Sequence, residues 1–127
     1  MPTLNWIGKE AVVNHDKEVP FKLLKKVPSA SVGKESQNLI IHGDNLEALK
    51  ALMPFYQGKV KCVYIDPPYN TGARDWKYNN DYVDSEDQFR HTKWLSMMDN
   101  RLRIAKNLLK EDGVLILAID ENECSHI

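Results

Sequence analysis

Apolar positions along this chain fall into three short runs and two periodic stretches, preceded by a polar, proline-punctuated segment. The run 60–65, bounded by Gly58 and Pro67, predicts a strand buried on both faces, the pattern of a parallel sheet covered by helices. Residues 114–119 predict a second such strand, ending at Asp120. A third, short strand is expected at 39–42, where Gly43 and Asp44 turn the chain into a helix over 45–53 that Pro54 stops. Asp44 with Glu47 fits a capping box, and Ser85 with Gln88 repeats that pattern ahead of a helix reaching about residue 110 and ending before Gly113. In that helix Trp94, Met98, Leu102, Ala105 and Leu109 recur at helical spacing, with Leu95 and Leu108 widening the stripe, which makes it the main core helix. Arg101, Arg103, Lys106 and Lys110 form its solvated side.

Strand, long helix and strand predict a right-handed βαβ unit, with the ends of the two strands on one edge and Asp66 beside Asp120. Asp120 and Glu123 read as the capping pair of a following helix. Asp44, Asp66 and Asp120 are thereby expected to line one crevice. Residues 70–84 have no usable hydrophobic period and are expected to form a loop. It carries Arg74, Trp76, Lys77, Tyr78, Asn79, Asn80 and Tyr82, a mixture suited to contact with nucleic acid, and equally to packing on its own domain. Residues 1–37 read as an N-terminal arm, in which Lys22, Lys25 and Lys26 are available to phosphates or simply form a solvated face. Trp6 is expected to anchor the arm on the core.

The chemistry gathers at the end of the first buried strand. A residue before proline is pushed out of the helical region, so Asp66 and Pro67 are extended, and both prolines have a fixed φ. The corner offers two acceptors, the Asp66 carboxylate and the Pro67 carbonyl, and the prolines bring no backbone donor to compete. Tyr69 adds a flat ring, and base-to-aromatic stacking contributes roughly 1–3 kcal/mol. A planar, amine-bearing heterocycle suits all three features. Turn chemistry followed by a packing tyrosine is the alternative for these residues taken alone.

Asp66-Pro67-Pro68-Tyr69 after a buried strand resembles the catalytic motif of the amino-group DNA methyltransferases. The likeness extends to Leu4-Asn5-Trp6-Ile7-Gly8-Lys9, to Gly43-Asp44-Asn45-Leu46, to 64–72 and to Ile119-Asp120-Glu121-Asn122-Glu123. Together these are similar to the amino-terminal part of adenine-specific methyltransferases of type III restriction–modification systems. The resemblance implies an α/β, partial Rossmann-like S-adenosylmethionine-dependent fold, with 38–127 as the catalytic segment. It implies that Asp66, Pro67, Pro68 and Tyr69 hold and stack a flipped base, since a base amine is out of reach inside the duplex. Asp44 and Asp66 would face S-adenosylmethionine, and Asn70, Thr71, Gly72 and Tyr78 would meet DNA. The expected reaction is methyl transfer to adenine N6. Cytosine N4, RNA, a protein amide and a non-catalytic remnant that binds DNA or a partner stay open. Double-stranded DNA, a restriction subunit and a second methyltransferase chain are the implied partners.

Composition narrows the setting. The chain has 127 residues, 43% hydrophobic and 28% charged, with a net charge of −1, so any attraction to DNA has to be local. No apolar run approaches the roughly 20 residues that span a bilayer. Two cysteines make no secreted disulfide framework, so a cytoplasmic location is expected, and four histidines without metal-ligand spacing predict no metal. The six glycines are isolated, so the Phe-x-Gly-x-Gly cofactor loop of such enzymes is missing. The expectation is a segment truncated at its C-terminus, inactive or nearly so alone.

Overall fold

A computed structural model describes residues 3–13, 15–33, 36–78 and 81–126. Its centre is α4 (Arg90–Leu108), whose predicted stripe is buried: Trp94 is 0%, Ala105 1%, Met98 2% and Leu108 3% exposed. Two parallel strands, β1 (Val60–Ile65) and β4 (Leu109–Leu117), pair alongside it. The sequence places α3 (Asn45–Tyr56) ahead of them, and an antiparallel hairpin of β2 (Ala73–Tyr78) and β3 (Asp81–Asp84) between β1 and α4. The N-terminal segment carries two one-turn helices, α1 (Lys9–Val12) and α2 (His15–Glu18), both in contact with α4. The fold is α/β, with a parallel strand pair flanked by helices.

The C-terminal end of α4 shows how strand and helix are joined. Carbonyl groups of a last helical turn need external donors. Here the Gly58 and Lys59 N–H groups donate to the Asn107 and Leu108 carbonyls at 3.0 and 3.1 Å, so the entry to β1 closes the helix. The helix therefore ends at Leu108, earlier than its apolar period predicts, and Leu109 is already extended and paired with Val60. The register shifts before Cys62 pairs with Val114, leaving 110–113 without partners on β1.

Several expectations are corrected. β1 and β4 are covered on one face only: Val63, Ile65 and Leu117 turn inward, while Tyr64, Val114 and Ile116 are 66%, 55% and 48% exposed. The continuous apolar run predicted burial on both sides, but among the described residues helices cover one. No strand forms at 39–42, where Ile40 is fully exposed and no ladder of the described residues reaches it. Helix α3 passes through Pro54 to Tyr56, since a proline near the C-terminal end forfeits a single hydrogen bond. Helix α4 starts at Arg90 rather than after Ser85: Asp84 and Asp87 bind the Glu86 and Phe89 N–H groups and hold 84–89 as turns. Arg101, expected in solvent, is half-buried and reaches Asn45 Oδ1 at 2.7 Å.

The expected loop at 70–84 is largely the β2–β3 hairpin. Lys77 pairs with Tyr82 and Tyr78 with Asp81, with Asn79 and Asn80 between them, both outside the described residues. Trp76 and Val83, 7% and 1% exposed, join Trp94, Leu95 and Met98 in one core cluster, against which Trp6, Tyr78 and Ile119 also pack. Burying such a set of large side chains removes the apolar area that drives folding, about 25 cal/mol per Å². It also ties the hairpin to α4.

Candidate active site

Asp66 leaves β1 at the end that lies beside the end of β4, where the Ala118 N–H donates to the Ile65 carbonyl at 2.9 Å. The crevice beyond the carboxyl ends of parallel strands is the usual ligand position in such sheets. Asp66 is exposed, Pro67 is buried, and Pro68 and Tyr69 are half-buried. The Trp94 indole donates to the Pro68 carbonyl at 2.6 Å, fixing the corner to the N-terminal part of the core helix. The Tyr69 hydroxyl donates to Asp66 Oδ1 at 3.0 Å. That hydrogen bond and the Asp66 charge push the Tyr69 hydroxyl above its ordinary range, with burial, Tyr64 and Asp120 adding to the shift. Asp120 is thus an electrostatic neighbour of the corner, as the strand order predicts. Its carboxylate accepts from the Asn122 backbone and side chain at 2.9 and 2.8 Å.

Asn70, assigned to DNA contact, is fully buried with φ 61. Its side-chain oxygen accepts the Trp76 indole at 3.1 Å, its amide donates to Glu123 Oε1, and its carbonyl accepts from Arg90 at 3.4 Å. Thr71 is exposed and Tyr78 half-buried against the core. Gly72 has φ 85, and a Cβ there would lie 2.6 Å from Ser85 Cβ, so only glycine fits the close approach of the corner to the segment after β3.

Glu123 was assigned to a capping pair, and the structure overturns that role. Among the described residues no helix follows Asp120; residues 121–126 form turns, and Glu123 is fully buried against Asn70 and His91. His91 Nδ1 lies 2.7 Å from its Oε1, and His126 Nδ1 3.3 Å from its Oε2. The ligand-capable atoms of His91, Glu123 and His126 lie within 4.8 Å of one another, a convergence that brings His91 across 32 positions to a pair three residues apart.

Asp44 caps α3 as predicted, Oδ1 accepting from the Leu46 and Glu47 N–H groups at 2.9 and 3.2 Å. Glu47 does not complete the box, because its carboxylate pairs with Lys22 at 2.7 Å. Burial lowers the Arg101 guanidinium from its ordinary value, and the Asp44 charge opposes that shift. Helix α4 thus carries both acids: Arg101 holds Asn45 at the start of α3, and Trp94 holds Pro68 two turns away. A cavity of about 560 Å³, lined by Trp6, Leu95, Met98, Leu102 and Arg103 among others, includes no residue of the corner.

Residues 60–127 match the N6/N4 methyltransferase family model, described as DNA methylase. The chain is 48% identical, over 76% of its length, to a probable type III restriction-modification enzyme HindVI Mod subunit of Haemophilus influenzae, covering 12% of that protein. It is 38% identical to the type III restriction-modification enzyme EcoPI Mod subunit of Escherichia phage P1, over 95% of this chain and 23% of the relative. The EcoP15I Mod subunit of Escherichia coli is 36% identical over 98% of this chain and 23% of its own length. The chain spans less than a quarter of these curated relatives. The match over 60–127 takes in the strand pair, the Asp66 to Tyr69 corner and the core helix that holds it, and the chain belongs to the DNA methylase family.

Proposed function

We propose that this chain supplies the amine-holding part of an S-adenosylmethionine-dependent DNA methyltransferase that modifies adenine N6. The observation that carries the proposal is the corner at the end of β1, an exposed Asp66 carboxylate fixed beside Tyr69 by the Trp94–Pro68 hydrogen bond. Asp66 and the Pro67 carbonyl accept the two N–H groups of a base amine and orient its nitrogen. Pro68 stiffens the turn. Tyr69 releases Asp66 and stacks on the base. The contribution is orientation and electrostatic positioning, with no covalent intermediate on the protein. Thr71 and Tyr78 lie on the hairpin side of the corner and are the proposed DNA contacts beside it, with Asn70 and Gly72 shaping the turn between them.

The residues present fit a share of the cofactor. A carboxylate accepts about four hydrogen bonds, and Asp44 uses Oδ1 for its cap, so capacity remains for a ligand hydroxyl or amine. The residues of α4 that hold the two acid-bearing corners, Trp94 and Arg101, are separated by about 10 Å of helix rise, a span suited to a nucleoside with a short arm. Asp44 and Asp66 are therefore the proposed cofactor contacts. S-adenosylmethionine supplies an electrophilic methyl group when bound.

The test is methyl transfer from labelled S-adenosylmethionine to duplex DNA. It compares this chain alone with a hybrid in which the chain replaces the matching segment of the phage P1 relative. The hybrid is expected to form N6-methyladenine and to lose at least 100-fold on Asp66→Ala, whereas the chain alone transfers little. A folded hybrid whose activity ignores Asp66→Ala would overturn the proposal.

The exposed Tyr64, Val114 and Ile116 favour a second reading, in which this chain is a module that binds a partner, such as a restriction subunit or a second methyltransferase chain. Measuring DNA and cofactor binding separately distinguishes it: a binding module takes up DNA or the partner without cofactor. Two free, exposed cysteines agree with a reducing compartment, and no described helix is long and apolar enough to cross a membrane. A cytoplasmic location is proposed accordingly.

A further inference from the structure

The residue that follows the corner, Asn70, is held from three separate parts of the chain. An amide has one acceptor end and one donor end. The Trp76 indole only donates and an ionised Glu123 only accepts, so their positions dictate which way the Asn70 amide faces: oxygen to Trp76, nitrogen to Glu123. Arg90 takes the Asn70 carbonyl. All of this stabilises a φ of 61, which asparagine tolerates better than most residues but does not prefer. A fully buried carboxylate is costly unless it is paired and hydrogen-bonded. Glu123 Oε1 meets that condition with Asn70 and His91, whereas Oε2 faces His126 Nδ1 at 3.3 Å without a hydrogen bond.

We propose that Glu123 is a positioning residue of the amine-holding corner, acting through Asn70. It locks Asn70 in the left-handed conformation and so sets the direction in which the chain leaves Tyr69. The inference rests on the reading of that corner as the site of methyl transfer. His91, packed on His126 with ring centroids 4.7 Å apart, faces Oε1 at 2.7 Å and helps hold Glu123 in place. The same trio could be read as metal ligands. Oε1 already accepts from the Asn70 amide while facing His91, so an ion would have to use Oε2, which faces His126 without a hydrogen-bond partner, and added Zn²⁺ separates the two roles.

Three indole N–H groups make the test direct. Trp76 reports Asn70, Trp94 reports Pro68, and Trp6, packed on the same core cluster, donates to Ser96 at 3.2 Å and to no residue of the corner. In ¹H–¹⁵N spectra of this chain, Glu123→Ala is expected to shift the Trp76 and Trp94 indole signals and leave Trp6 in place. Glu123→Gln keeps an acceptor for Asn70 and is expected to restore Trp94 while Trp76 stays partly shifted. In the hybrid enzyme, Glu123→Ala lowers kcat about 100-fold with the KM for DNA within twofold, and Glu123→Gln recovers about tenfold of that. If the alanine variant unfolds, the glutamine variant decides alone: unmoved indole signals and unchanged kcat overturn the proposal. A shift of the Trp76 signal by micromolar Zn²⁺ overturns it in favour of a metal site. A wild-type hybrid with no methylation refutes the reading of the corner, while the indole signals still decide the role of Glu123.

Discussion

The Tyr69 hydroxyl and the Asp66 carboxylate satisfy each other in this structure, so base binding has to exchange one hydrogen bond for others. Tyr69→Phe separates the two duties of the ring, since it keeps the stacking face and frees the carboxylate. Methylation by the hybrid is expected to persist within a few-fold, whereas Tyr69→Ala, which removes the stack, lowers kcat/KM roughly tenfold or more. Equal losses in the two variants would assign the hydroxyl a direct role. Because the hydroxyl is pushed above its ordinary value of 10.0, chiefly by its hydrogen bond to Asp66, the contact stabilises the fold below pH 10 and is lost as pH rises through the raised value. At this scale the stiff backbone of the corner was legible because the geometry of a proline pair is local. Glu123 was not: its partner Asn70 is 53 residues away, and its spacing from Asp120 invites the local capping explanation.

At the scale of elements, the segment between β1 and α4 depends on a close approach and on two acidic turns. Gly72→Ala would bring a Cβ to 2.6 Å from Ser85 Cβ and 2.8 Å from Ser85 Cα at a positive φ, and neither neighbour is a flexible side-chain end. The variant is expected to lose about 1–3 kcal/mol, read from the midpoint of urea unfolding. The turns respond to acid. Asp84 is held below the usual carboxylate value by the Glu86 N–H and by Arg74, and Asp87 by Lys93 and the Phe89 N–H. A depressed value means that both contribute stability above about pH 4, which is lost as pH falls through the lowered values. The protection of amides in 84–90, taken relative to their intrinsic exchange rate at each pH, is expected to fall between pH 5 and pH 3 ahead of protection in the middle of α4. Arg74→Ala should remove only part of the Asp84 share, since the Glu86 N–H remains, and leave the Asp87 share intact. The hairpin escaped the sequence pattern because its inward positions, Trp76 and Val83, are few and lie across the Asn79-Asn80 connection. The same residues also match a mobile, nucleic-acid-facing loop.

At the scale of the molecule, one face of the β1–β4 pair is open and apolar. Tyr64 and Ile116, paired in register, are both exposed, and such a face favours association. Tyr64→Ser with Ile116→Thr is expected to reduce self-association in sedimentation while unfolding moves by no more than about 0.5 kcal/mol. Loss of folding in that double variant would mean the face is covered.

By itself the sequence determined the two parallel strands, the core helix with its Trp94 to Leu108 stripe, the Asp44 cap and the stiff corner at Asp66. Each is set by periodicity or by backbone restriction within a few residues. The tertiary structure decided where α4 ends, which face of β1 is covered and that 70–84 folds back as a hairpin. It alone brought Glu123 and His91 under Asn70. Those outcomes depend on which donors and acceptors meet across long stretches of chain, and a buried carboxylate has no preferred local geometry from which its partner could be read.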